Sequence, residues 1–202
     1  MRTLVAAAYP PELERLAALM PVTMARGRLM ARAVGIGLVE AAAGAERAIA
    51  ELAPEQVILV GTAGALPGSG LAIGDVVVAE HAELVVREVE YVPGIMATRV
   101  AAHGALAKQL ATLLGVRAVT VASPIGITAS DAEAARVGQR AQAEQLECFA
   151  VLAAAARAQV PATAILAIAN TVGAQAQAEW REHRVAAEMA AQAALARLFS
   201  EG

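Results

Sequence analysis

Three polar residues stand out in this sequence because each lies within or directly after an apolar segment. Glu12 follows the first predicted strand, Glu147 lies inside the apolar stretch at 146–152, and Asn170 ends the apolar run at 165–169. A carboxylate in apolar surroundings costs free energy unless it is hydrogen-bonded. Because a positioned carboxylate can transfer a proton in a reaction, the two glutamates are the main candidates for chemistry in this chain.

Each of these residues also has a purely structural interpretation. Glu12 and Glu147 could be acids at the starts of helices, where the helix dipole favours negative charge. Asn170 could be a turn residue or a helix cap. The residue types alone leave the functional and the structural interpretations open.

Other chemistries lack the residues they need. The three histidines have no metal-ligand spacing, and Cys148 has no histidine partner in the sequence. No serine lies in a G-x-S-x-G pattern. The turn at 35–37 lacks the third glycine of a dinucleotide loop, and Lys108, the one lysine, follows no glycine-rich loop. We therefore expect neither a metal nor a cofactor.

Composition narrows the class of protein. The length of 202 residues predicts one domain, 1–202, with a sizeable core. The net charge of −3 disfavours nucleic-acid and anionic-membrane partners, which require a basic face. A single cysteine, Cys148, excludes an internal disulfide and favours a reducing compartment. The N-terminal sequence turns polar too soon for a signal peptide, and no apolar run reaches the ~18 residues of a membrane helix. We therefore expect a cytoplasmic protein.

Short apolar runs alternate with helical segments along the chain, which predicts an α/β domain with a largely parallel sheet. The predicted strands cover 3–8, 29–34, 56–60, 75–79, 116–121 and 161–169. The predicted helices cover 12–20, 39–52, 100–114, 131–139, 146–159 and 177–199. Residues 61–64 (GTAG) are predicted as a turn. In such folds the chemistry lies at the carboxyl ends of the strands, which selects residues 9–12, 61–64, 123–128 and Asn170.

Five segments together resemble the nucleoside phosphorylase and nucleosidase superfamily, in its order and at compatible spacing. They are VAAAYPPELERL, VGIGLVEAAAGAERAI, VILVGTAGALPGSGLAIGDVVVAEHAEL, QAEQLECFAVLAAAA and ILAIANTVG. GTAGAL followed by GDVVVA is the most specific element. The resemblance implies a single α/β domain around a mixed, partly barrel-like sheet flanked by helices. It also implies a homo-oligomer and a small-molecule purine nucleoside as ligand.

The same resemblance implies roles for individual residues. Glu12 matches the nucleosidase glutamate that activates water, which requires Glu12 to be ionised at the working pH. Glu147 matches the glutamate that binds the ribose 2′ and 3′ hydroxyls, with Leu146 in the place of a methionine. Asn170 stands where the family has an aspartate at the base site.

The remaining pocket candidates come from their positions near these residues. Backbone N–H groups at 61–64 could line the sugar pocket or only shape a turn. Tyr9 is a candidate because it directly follows the first strand. Trp180 could cap the pocket or anchor the last helix on the sheet. The candidates in this group are Tyr9, Gly61, Thr62, Ala63, Gly64 and Trp180.

Two departures from the family pattern indicate a type of reaction. Phosphorylases with this pattern carry a phosphate-binding arginine where this chain has Leu59, and leucine cannot neutralise a phosphate dianion. Water is therefore the expected nucleophile. Asn170 offers an N–H donor that suits the O6 or N7 acceptors of a 6-oxopurine. Together with Trp180 it resembles the futalosine hydrolase group, which removes hypoxanthine from futalosine in a route to menaquinone.

Three alternatives stay open at this point. One is a methylthioadenosine or S-adenosylhomocysteine nucleosidase, which Asn170 disfavours. Another is a phosphorylase with a different phosphate anchor. The third is a non-catalytic nucleoside-binding protein on the same fold, since fold does not determine function.

Overall fold

The computed structural model describes residues 1–16, 29–85 and 97–200. The described residues form eight strands, five α-helices and one 3₁₀ helix, Pro10–Leu13. The strands are β1 (Thr3–Ala7), β2 (Leu29–Ala33), β3 (Gln56–Ala65), β4 (Val76–Leu84), β5 (Arg99–Ala101), β6 (Arg117–Ser123), β7 (Ala143–Glu144) and β8 (Ala162–Thr171). The helices are α1 (Gly37–Leu52), α2 (Gly104–Leu114), α3 (Asp131–Gly138), α4 (Cys148–Arg157) and α5 (Ala176–Ser200).

Five of the strands close into a barrel. β3 pairs with β8, β8 with β4, β4 with β6, β6 with β7, and β7 returns to β3. The β3–β8, β4–β6 and β6–β7 pairs are parallel, whereas β4–β8 and β3–β7 are antiparallel. β1 and β2 extend the sheet beyond β3, and β5 pairs with β4. The prediction of a mixed, partly barrel-like α/β sheet flanked by helices is therefore confirmed.

The core lies inside this barrel and beneath the helices. β3 and β8 are buried along almost their whole length because other elements cover both of their faces. Helix α1 buries Ala41, Ala45 and Ala48, which lie on one face at helical spacing. Small side chains let α1 pack closely against the backbone of Val34, which follows β2. A Cβ at Gly44 would lie 1.9 Å from the carbonyl oxygen of Val34. None of the described helices is long and apolar enough to cross a membrane.

Several predicted element boundaries are wrong, with identifiable reasons. Residues 61–64 are not a turn but part of β3, which pairs with β8 as far as Ala65. The segment predicted as one helix at 100–114 holds both β5 and α2, because the His103 side chain caps α2 by accepting from Leu106 N–H at 3.3 Å. Strand β7 was not predicted, since two residues carry no readable periodicity.

The segment after β1 also differs from its prediction. A helix was expected at 12–20, but Glu12 and Leu13 end a short 3₁₀ helix that begins at two prolines, whose fixed φ suits a first turn. The part of the predicted helix beyond residue 16 falls within 17–28, which the structure does not describe. The helix expected from residue 146 begins at Cys148, so that Glu147 is its N-cap residue.

Candidate active site

A pocket of about 280 Å³ opens where β1, β3, β7 and β8 end and where α4 and α5 begin. Nine of the ten residues singled out in the sequence line it. These nine are Tyr9, Glu12, Thr62, Ala63, Gly64, Leu146, Glu147, Asn170 and Trp180. Gly61 does not line it. Five further polar or large apolar residues line it: Ile36, Ile127, Glu144, Gln145 and Gln177. Of these, only Ile127 lies in a segment that the sequence analysis selected at the strand ends, 123–128.

Glu12 is held in the pocket wall by two backbone donors. Its side chain is almost fully buried, and its Oε2 and Oε1 accept from Ala8 N–H at 2.9 Å and from Thr62 N–H at 3.1 Å. Burial raises the pKa of Glu12 to about 8 despite these two hydrogen bonds, which lower it. At neutral pH most of this carboxyl is protonated, so the ionised form that water activation requires prevails only above about pH 8.

The two glycines of the GTAG segment make room for the two predicted catalytic side chains. A Cβ at Gly61 would lie 2.7 Å from Oε1 of Glu12, and a Cβ at Gly64 would lie 2.8 Å from Nδ2 of Asn170. Real Cβ atoms do not approach other atoms this closely, so any larger residue would displace these side chains. Gly61 thus lies behind Glu12 rather than along the pocket surface.

Glu147 is held by the glycine-containing turn at 35–37. Its Oε1 accepts from the N–H of Gly37 at 2.7 Å, and Gly37 is the first residue of α1. Gly35 and Gly37 have φ values of +110° and +80°, which glycine adopts readily. Gln145 binds the other oxygen through its Nε2, and its Oε1 accepts from the Glu147 N–H at 2.9 Å. Although Glu147 is an N-cap residue, its side chain makes no capping hydrogen bond, and burial raises its pKa.

Asn170 reaches the pocket through an irregularity in β8. Ala63 pairs with Ile168, but the next residue of β3, Gly64, pairs with Asn170, so that Ala169 is an extra residue in β8. Such a bulge re-aims the side chains that follow it. Asn170 Nδ2 donates to the carbonyl oxygen of Thr171 at 3.0 Å, its one side-chain hydrogen bond within the described chain.

Glu144 is a third pocket carboxylate, and the sequence analysis missed it. It is buried in β7, and both of its oxygens accept from Thr128: Oε1 from the N–H at 3.1 Å and Oε2 from the hydroxyl at 2.6 Å. Burial raises the pKa of Glu144. The sequence feature that could have identified Glu144 is its position three residues before Glu147, in a segment that already resembled the family. Its hydrogen-bond partner, Thr128, lies in the 123–128 segment, which was also selected.

The sequence of this chain matches a known family. The family model described as the phosphorylase superfamily matches residues 16–200. The chain belongs to the phosphorylase superfamily. Glu12 precedes the matched range, so its assignment rests on the pocket geometry. A search of curated protein sequences finds no match.

Solved structures of similar fold cover the whole of this phosphorylase-superfamily chain. The 5′-methylthioadenosine/S-adenosylhomocysteine nucleosidase from Neisseria meningitidis, in complex with methylthio-immucillin-A, has a TM-score of 0.86 and 23% identity, with 100% of both chains covered. A futalosine hydrolase mutant of Helicobacter pylori has a TM-score of 0.85 and 18% identity, again with 100% of both chains covered. The S-adenosylhomocysteine nucleosidase from Streptococcus pyogenes, in complex with 5-methylthiotubericidin, has a TM-score of 0.85 and 20% identity, with 100% of this chain and 97% of that chain covered. At these identities the comparisons show the fold.

Helix α5 of this superfamily member contributes one pocket aromatic, Trp180, and holds the other, Tyr9. The Tyr9 hydroxyl donates to Glu188, and Trp180 Nε1–H donates to the Thr62 hydroxyl at 3.1 Å. Arg184 lies 5.2 Å from the centre of the Trp180 ring and 3.6 Å from Oε1 of Glu188. Trp180 therefore lines the pocket and also packs against the core.

The pocket contains three acidic side chains and no basic one among the described residues. The acidic side chains are those of Glu12, Glu144 and Glu147. Leu59, at the position of the phosphate-binding arginine in the phosphorylases that the sequence resembles, is fully buried in β3 and does not reach the pocket. Among the described residues, an anion entering this pocket would meet three carboxyl groups and no side-chain cation.

Proposed function

We propose that this chain is a purine nucleosidase that hydrolyses the bond between C1′ of the sugar and N9 of the base. The observation that carries the proposal is a pocket lined by three buried carboxylates and no lysine or arginine among the described residues. A phosphate dianion there would lose its hydration without an ion partner, which is costly. Water carries no such charge.

Each polar residue then has a defined task. Glycosidic cleavage develops positive, oxocarbenium-like charge on the sugar, which ionised Glu12 and Glu147 stabilise. Glu147 binds the ribose hydroxyls, since Gly37 and Gln145 hold its carboxylate in one orientation. Glu12 accepts a proton from the attacking water. Asn170 stabilises the negative charge on the departing base through hydrogen bonds. Because an amide cannot act as a general acid, the base takes its proton from water.

We infer further that the leaving base is a 6-oxopurine and that futalosine is the substrate. Support comes from Asn170, whose N–H can donate to O6 or N7. A methylthioadenosine or S-adenosylhomocysteine nucleosidase would instead release adenine, whose N6 amine donates. Release of adenine in preference to hypoxanthine would overturn the futalosine assignment and leave the hydrolytic one intact.

The nucleophile is tested by the product. We expect base release from futalosine, inosine or methylthioadenosine to proceed at the same rate with and without inorganic phosphate, because the pocket offers phosphate no cation. Free sugar should appear, identified by mass spectrometry. Sugar 1-phosphate as the main product would show that the protein is a phosphorylase. Tight binding of these nucleosides without turnover would indicate a non-catalytic binding protein.

Base choice is tested at Asn170. We expect the protein to prefer hypoxanthine-type over adenine-type leaving groups by about tenfold to a hundredfold, because mispairing a buried polar group costs about 1–3 kcal/mol. Asn170→Asp should shift the ratio of kcat/KM values toward adenosine over inosine, since a carboxylate accepts from N6. The control is Gln109→Glu, which adds the same charge on an exposed position of α2. An unchanged ratio in Asn170→Asp would show that Asn170 does not contact the base.

A further inference from the structure

The mechanism above leaves one buried pocket group without a task. Glu144 lines the pocket, yet neither the attack of water nor the binding of ribose requires it. Both of its oxygens accept hydrogen bonds from Thr128, at 3.1 Å from the N–H and 2.6 Å from the hydroxyl. Two donors on one residue fix the carboxylate plane. Each oxygen keeps a further lone pair with which to accept from a ligand.

The sheet register places Glu144 and Asn170 on either side of one glycine. Gly64 of β3 pairs with Glu144 of β7 on one side and with Asn170 of β8 on the other. All three residues line the pocket. Two strand spacings separate the flanking backbones by about 9–10 Å. Because Gly64 has no side chain, the Asn170 carboxamide lies directly over it, where a Cβ would be 2.8 Å from Nδ2. The carboxyl group of Glu144 and the carboxamide of Asn170 therefore border the same pocket from neighbouring strands of the barrel.

We propose that Glu144 accepts a hydrogen bond from N1–H of a bound 6-oxopurine, opposite Asn170, which donates to O6 or N7 of the same ring. This inference rests on the proposed nucleosidase function and adds a specificity-determining residue to it. N1 of a 6-oxopurine carries a hydrogen and donates, whereas N1 of adenine carries a lone pair and accepts. A carboxylate therefore attracts the first base and repels the second. Two residues, rather than Asn170 alone, then determine the base.

Glutamine is a close isostere for testing this role. In Glu144→Gln the amide oxygen can still accept from the Thr128 N–H, and the amide nitrogen can donate to the Thr128 hydroxyl oxygen. Both anchoring contacts are thus retained. The second amide N–H then takes the place of a carboxylate lone pair, so that the group facing N1 changes from an acceptor to a donor.

The experiment measures kcat/KM for inosine and adenosine in phosphate-free buffer. We expect Glu144→Gln to lower the inosine-to-adenosine ratio by about tenfold to a hundredfold, mainly through loss of inosine activity. The matched control is Glu83→Gln, which alters another buried strand carboxylate that lies outside the pocket and is paired with Arg140. Its ratio should equal that of the wild type.

The outcomes separate this inference from the proposed function. If Glu144→Gln releases free sugar with an unchanged ratio, Glu144 does not contact the base and the nucleosidase assignment stands. If the wild type cleaves neither nucleoside, calorimetric binding of free hypoxanthine and adenine tests Glu144 separately, with the same expected shift in the ratio of Kd values. If Glu144→Gln does not fold, Thr128→Val removes only the hydroxyl donor and should move the ratio in the same direction by a smaller factor. An unchanged ratio there would overturn the proposal.

Discussion

Replacing Glu12 with glutamine is expected to lower kcat by about 10²–10⁴, the range that a positioned general base contributes. Glutamine has the same length but no proton-accepting oxygen of comparable basicity. The side chain is buried and held by the N–H groups of Ala8 and Thr62, which fix the proposed base in one position. The measurement is single-turnover base release from the best substrate of the nucleoside panel.

The pH dependence of the wild type has a definite sign. Burial raises the pKa of Glu12 to about 8, and the base acts in its ionised form. We therefore expect kcat/KM to rise by about tenfold per pH unit below that value and to level off above it. In the Glu12→Gln protein, kcat/KM should not show this rise with pH.

A neighbouring glutamate provides the control for Glu12. Glu14→Gln changes an exposed carboxylate two residues further along and should leave both the rate and the pH profile unchanged. Near-wild-type turnover in Glu12→Gln would remove Glu12 as the base. If Glu12→Gln lowers kcat but kcat/KM still rises with pH, another group causes the pH dependence.

Replacing Glu147 with glutamine is expected to lower kcat/KM by about 10²–10³. Hydrogen bonds to a charged group contribute about 1.5–3 kcal/mol, and the carboxylate is proposed to bind two ribose hydroxyls. The amide also fits its surroundings poorly, because Gly37 N–H and Gln145 Nε2 each donate to one carboxylate oxygen. Only one of these donors can then be satisfied by the single amide oxygen.

Substrate analogues distinguish ribose binding from general damage at Glu147. A 2′-deoxynucleoside should react more slowly with the wild type, and this penalty should nearly vanish in Glu147→Gln, because the two changes remove the same interaction. Glu147→Asp keeps the charge and should retain part of the penalty. An undiminished 2′-deoxy penalty in Glu147→Gln would assign the hydroxyl contact to another residue.

The sequence alone identified most of the pocket because its polar residues interrupt or end apolar runs. Glu147 and Asn170 are conspicuous within segments whose other residues are buried, and Glu12 follows a strand that is buried throughout. The alternation of strands and helices determined the α/β class for the same reason. Burial of backbone and side chains leaves a periodic pattern that can be read locally.

Only the tertiary structure decided how these residues act together. Glu144 lies in a strand of two residues, too short for any pattern, and its relation to Asn170 exists only through the register of both with Gly64. The extra residue in β8 that turns Asn170 toward the pocket, and the need for glycine at position 61 behind Glu12, arise from contacts between distant segments. The raised pKa of Glu12 has the same origin, because desolvation depends on every element that closes over the carboxyl group. Residue types and their local spacing can be read from the sequence. Distances between residues far apart in the chain, strand registers and the exclusion of solvent are determined only when the barrel closes.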